Sequence, residues 1–130
     1  LFYQPTHQEV LEYIQNRVKP ALQEVGQELQ NRGVQAKIGE GEEGRVWLQV
    51  LHGEEINFIY SVIPREYEPP AFTLKASRSQ SNQEKKYYLA EVHLREGGQD
   101  YDIMNWSKQQ VITDVLDQYE RHLRFLDAVR

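Results

Sequence analysis

Four imidazoles and one acidic, glycine-bearing loop are the places where this chain could do chemistry. His7, His52, His93 and His122 lie far apart in sequence, so no two stand at the i, i+4 spacing of a helical zinc pair, and there is no cysteine to complete a ligand set. No metal site is expected, and neither a disulfide nor a thiolate nucleophile is possible. The loop Glu96-Gly97-Gly98-Gln99-Asp100-Tyr101-Asp102 gathers three carboxylates. A calcium loop of the EF-hand type would need further oxygen ligands at fixed offsets ending in a late Glu, whereas here Trp106-Ser107 opens a helix. General acid/base work would need surroundings that push two carboxyl pKa values apart. The simpler reading is a turn that hydrogen-bonds its own backbone and presents Tyr101. Gly97-Gly98 lacks both glycine-rich phosphate frameworks, and Ser107, three residues before Gln110, reads as a helix cap and not a nucleophile. The chain is therefore expected to be no enzyme and to hold no cofactor.

The elements that position these residues follow from hydrophobic period. Thr6 and Glu9 form a capping box, after which Val10, Leu11, Ile14, Val18, Leu22, Val25 and Leu29 recur at helical steps. Pro20 falls inside that pattern and predicts a bend or a break between Asn16 and Pro20. Gly33 ends the helix. Alternating residues then predict strands at Val34–Ile38, Val46–Val50, Ile56–Val62 and Tyr88–Leu94, with a short strand at Phe72–Ala76 and a brief extended piece at Tyr101–Ile103. Pro64 to Pro70 reads as a rigid connection and Ser77 to Glu84 as a polar loop. The last helix, Lys108 to Val129, starts at the Ser107/Gln110 cap, with Trp106 placed to staple onto Val111. The expected fold class is α+β: an antiparallel sheet of about five strands flanked by an N-terminal and a C-terminal helix, both packed on one sheet face.

At 130 residues the chain fits a single domain that buries roughly two-thirds of its unfolded surface. A net charge of −5 argues against nucleic acid, whose phosphates demand clustered Lys and Arg. The apolar run Ile56 to Ile63 is interrupted by Asn57 and Tyr60 and falls far short of the ~20 residues that span a bilayer. The start at Leu1-Phe2-Tyr3, with no initiator Met and no signal-peptide pattern, suits a piece of a longer protein.

The second phase of the strands carries Trp47, Leu51, Ile59 and Ile63 beside Gln35, Lys37, Gln49 and Ser61. A sheet face this apolar is the best physical hint of a docking surface if nothing in the chain covers it. Trp47 and Ile59 are candidates there, and Gln99, Asp100, Tyr101, Asp102 and Trp106 form a second candidate surface at the start of the last helix.

The stretch Arg95 to Leu126, REGGQDYDIMNWSKQQVITDVLDQYERHLRFL, with Lys19-Pro20-Ala21-Leu22, Arg32-Gly33-Val34 and Tyr87 to Leu94, resembles the cytoplasmic C-terminal domain of bacterial high-affinity choline transporters of the betaine/carnitine/choline transporter family. The resemblance covers nearly the whole chain. It implies one regulatory domain, residues 1–130, on the cytoplasmic side of the bacterial inner membrane. Its partner would be the transmembrane part of the same transporter, which binds the choline, with neighbouring protomers as a further partner. It implies a role in osmotic control of choline uptake for glycine betaine synthesis. The acidic, folded character of the chain departs from the basic helical tails that cling to anionic lipid. The alternative, from the residues alone, is a self-contained module for sensing a small molecule or binding a protein.

Overall fold

The computed structural model describes residues 4–68, 86–95 and 100–128. Their order is α1 (His7–Tyr13), a π-helical turn (Ile14–Val18), α2 (Lys19–Asn31), β1 (Gln35–Glu40), a 3₁₀ turn (Glu42–Gly44), β2 (Val46–His52), β3 (Glu55–Tyr67), β4 (Tyr87–Leu94), β5 (Tyr101–Asp102) and α3 (Lys108–Ala128).

The first helix begins as its cap predicts. Thr6 Oγ1 accepts from the Glu9 amide at 3.1 Å and the Thr6 amide donates to Glu9 Oε1 at 2.9 Å. Pro20 does not break the helix, which runs on into α2. The turn before it widens instead, so that the Lys19 amide reaches the Ile14 carbonyl five residues back. In a regular helix the proline ring would crowd the Asn16 carbonyl, and an extra residue in the turn relieves that clash while Ile14 and Val18 stay buried. At the far end Gly33 takes φ +83°. The Gly33 amide donates to Gln30 and the Val34 amide to Leu29, a Schellman closure that only an unstrained left-handed residue permits.

The five strands pair in sequence order, every neighbour antiparallel. Val46, Leu48, Val50, Phe58, Tyr60, Val62, Ala90 and Val92 face the helices and are buried, with Val10, Ile14, Val18, Leu22, Val25, Val111 and Val115 opposite them. Both helical segments thus cover one face of the sheet. The expected α+β arrangement is what the molecule adopts.

One strand is longer than its sequence suggests. β3 runs through Pro64 to Tyr67, where a rigid connection was expected. The register explains it. Pro64 stands opposite Ala90, whose amide donates to Asp102 and whose carbonyl accepts from Ile103. The backbone groups of Ala90 therefore point away from β3, and no ladder bond is lost where Pro64 has no N–H. On its other side β2 has already ended, its last pair being Val46 with Val62. The expected strand Phe72–Ala76 and the polar loop Ser77 to Glu84 lie outside the described residues, as do Glu96 to Gln99 and Val129.

Candidate functional site

The sheet face turned away from the described helices holds a cluster of charged residues. Glu91 projects from β4 on that face and is only 4% exposed. Tyr67 donates its hydroxyl to Glu91 Oε2 at 2.6 Å, Arg65 Nη1 donates to Oε1 at 3.1 Å, and His93 Nε2 lies 2.8 Å from Oε1. His93 Nδ1 stands 3.4 Å from Asp100 Oδ2. Pairing of Arg65 with Leu89 and of Tyr67 with Tyr87 across β3 and β4 brings the side chains to Glu91 from one and two steps along the neighbouring strand. Burial works to raise the Glu91 carboxyl. Hydrogen bonds from Tyr67 and His93 and the Arg65 charge outweigh it and hold the group below its ordinary range.

Glu91, His93 and Asp100 each offer a ligand atom, all within 4.8 Å of one another. Sequence spacing did not suggest this trio, because its acids come from a strand and from the loop beyond it. Arg65 and Tyr67 already occupy both oxygens of Glu91, and a guanidinium in contact with a carboxylate competes with any cation for it. The arrangement is best described as an ionic network that clamps β3 to β4.

The loop surface expected around Gln99 to Trp106 divides by role. Gln99 lies outside the described residues. Asp100 is exposed and faces His93. Asp102 is exposed but tied to the backbone, its Oδ1 accepting from the Ala90 amide at 3.1 Å and the Met104 amide at 3.0 Å. Tyr101 turns its hydroxyl to the helical layer, donating to Asp114 Oδ2 at 2.5 Å. Trp106 is half-buried against the core with its ring 6.4 Å from that of Tyr101, and its carbonyl accepts from the Tyr13 hydroxyl at 2.9 Å. Burial pushes the Tyr13 phenol up to about 12. The Ser107/Gln110 cap forms in both directions, at 3.1 and 2.8 Å.

Trp47 and Ile59 sit apart from that loop, on neighbouring strands of the sheet face turned away from the described helices, with Trp47 opposite Ser61 and Ile59 opposite Gln49. Both are half-buried. The Trp47 indole covers Gly39 so closely that a Cβ there would overlap the ring, and the Arg45 guanidinium stacks 5.0 Å from the ring centre. The large apolar side chains that stand exposed among the described residues are elsewhere, on α3: Leu116, Leu123 and Phe125.

Sequence reasoning also missed the polar bridge between sheet and helix. Asp114 Oδ2 accepts from Tyr60 at 2.6 Å as well as from Tyr101, and Gln118 Nε2 donates to the Tyr101 hydroxyl at 3.1 Å. The signal was there in part: Tyr60 occupied a core-facing strand position where a phenol needs a partner.

No protein-family model matches the chain. It is 42% identical over all of its length to a glycine betaine transporter of Acinetobacter baylyi, of which it spans 19%. It is 46% identical over 85% of its length to a high-affinity choline transport protein of Escherichia coli K12, spanning 17% of that protein. An osmo-dependent choline transporter of Acinetobacter baylyi shares 39% identity over 86% of the chain. The chain thus spans less than a fifth of these relatives, and no helix among its described residues is long and apolar enough to cross a membrane. Matched along its whole length, this chain is a relative of one segment of the bacterial choline and glycine betaine transporters.

Proposed function

We propose that the chain is the cytoplasmic regulatory domain of an osmoregulated choline transporter, and that it adjusts uptake by docking on the membrane part of the same polypeptide. The observation that carries this reading is its similarity, over 86% to 100% of its length, to a minor segment of transporters, one of which is named osmo-dependent. A folded unit without a described membrane helix, joined to a carrier, acts at high effective concentration through weak contacts. Coupling of about 1–3 kcal/mol between docked domain and carrier changes transport several-fold or more.

Ion-sensitive contacts supply the trigger. Asp100 and the Trp47–Ile59 face are the surfaces for docking, because Asp102, Tyr101 and the Trp106 carbonyl serve the fold. Exposed charge contacts are screened over about 8 Å at physiological ionic strength and over less as salt rises, so internal salt would shift the docked population. The chain itself binds no choline and carries out no catalysis; substrate binding belongs to the membrane part.

Choline uptake across an osmotic ramp, in the whole transporter and in a version ending before Leu1, tests the reading. Loss of the osmotic response with basal uptake retained supports it. An unchanged response overturns it. Asp100→Lys in the whole transporter locates the surface: altered activation implicates the loop, and normal activation transfers the role to the Trp47–Ile59 face.

A further inference from the structure

A cavity of about 250 Å³ opens between the ends of β3 and β4 and the C-terminal half of α3. Phe58 and Leu94 supply apolar surface from the strands, and His122 and Phe125 supply it from the helix. The Phe58 ring is held in place by an edge contact with Tyr119 at 5.3 Å and a tilted contact with His122 at 5.7 Å. Asn57 also lines the cavity, beside Phe58. Consecutive strand residues ordinarily face opposite sides, but the register slips here, Val50 pairing with Phe58 and Leu51 with Ile56, so Asn57 is left unpaired by a bulge.

The electrostatics of this cavity are one-sided. Arg95 and Arg121 stand at it and, among the described residues, no carboxylate lines it, although the chain as a whole has more acids than bases. Among the described residues neither guanidinium is in an ion pair, whereas Arg32, Arg65 and Arg124 are. His122 Nε2 is buried there without a hydrogen-bond partner. A buried ring nitrogen left unpaired is costly unless something else meets it. Apolar walls, a few convergent polar groups and two free cations are the ingredients of a site for an amphipathic anion.

We infer that this cavity binds a small monocarboxylate with an aromatic or branched apolar body, the carboxylate meeting Arg95 and Arg121 and the body resting on Phe58 and Phe125. Scaling from an apolar cavity of about 150 Å³ that takes benzene gives a ligand of about ten non-hydrogen atoms. Gln118 borders the cavity and also donates to Tyr101, so occupancy would be felt by the phenol bridge at Asp114. The inference concerns this chain's own residues and stands apart from the transporter reading.

Phenylacetate is the probe, titrated into the 130-residue chain by calorimetry and by NMR of the His122 ring and the Phe58 and Phe125 signals. Saturable binding that shifts those signals is expected. Phenylacetamide, which lacks the charge, and inorganic phosphate, which lacks the apolar body, should each bind at least tenfold more weakly. The double variant Arg95→Gln/Arg121→Gln, altered only at exposed positions, should keep its melting temperature and lose at least tenfold in affinity for phenylacetate. No saturable binding, equal binding of phenylacetamide or phosphate, or undiminished binding by the double variant would overturn the inference.

Discussion

Tyr60 in β3 donates its hydroxyl to Asp114 in α3 at 2.6 Å, joining the middle of the sheet to the helix that covers it across 54 positions of sequence. The tyrosine is fully buried, and the oxygen that receives its hydrogen bond also receives one from Tyr101.

Tyr60→Phe should therefore destabilise the fold by about 1.5–3 kcal/mol, the usual range for a hydrogen bond to a charged group. Tyr101→Phe should cost less, since that side chain is half-exposed. Because the two donors share one oxygen, the double variant should cost more than the sum, as the carboxylate loses both of its phenols. Denaturant melts of the four proteins measure the coupling, and strict additivity would show that each phenol acts alone.

Alkali should find these phenols late. Burial, aided by the Asp114 charge, raises the Tyr60 and Tyr101 phenols, and burial raises Tyr13. Their protonated forms belong to the folded state, so the stability they contribute is full below the ordinary value of 10.0 and is lost as pH climbs above it. Phenolate absorbance taken about one unit above that ordinary value should count fewer than the eight tyrosines of the chain while the helical circular dichroism persists. A full count in the still-folded protein would show the phenols open to solvent.

At the acid end Glu91 sets the direction. Its carboxyl is held below its ordinary value of 4.5, so the unfolded chain takes up the proton first and acidification favours unfolding. The contribution is present above the ordinary value and disappears as pH falls through the folded one. Glu91→Gln should cost about 1–3 kcal/mol at neutral pH and should flatten the loss of stability below about pH 5. Chemical melts of both proteins across that interval decide it; parallel pH profiles would assign the acid sensitivity to other carboxyls. Glu40 and Glu66, held low by hydrogen bonds from Lys19 and Lys86, are such groups. They are exposed, so their share should shrink in added salt.

Gly39 offers a probe of the sheet face turned away from the described helices. A methyl group placed there meets the Trp47 ring, and the ring must leave its seat beneath Arg45. Gly39→Ala should cost about 1–3 kcal/mol and shift the tryptophan emission toward the red. In a Trp47→Ala background the same change should be nearly neutral. An equal cost in both backgrounds would trace the effect to the backbone.

Local chemistry wrote much of this molecule into its sequence. The capping pairs Thr6–Glu9 and Ser107–Gln110, the glycine closure after α2 and the two-residue period of the strands each involve groups a few positions apart, so propensity and pattern suffice to place them. The α+β class and the packing of both terminal helices on one sheet face followed, since apolar stripes on two helices and one strand phase have one economical way to meet. Tertiary structure alone decided what depends on register. That Pro64 continues a strand was settled by where β2 ends and by which way Ala90 points. That Glu91 gathers Arg65, Tyr67 and His93 was settled by the alignment of β3 on β4, and that Asn57 joins Phe58 at one cavity by a bulge between β2 and β3. A shift of one residue in any of these pairings would turn the same side chains to the other face, which is why alternation in the sequence could name the strands but not the neighbours their side chains would keep.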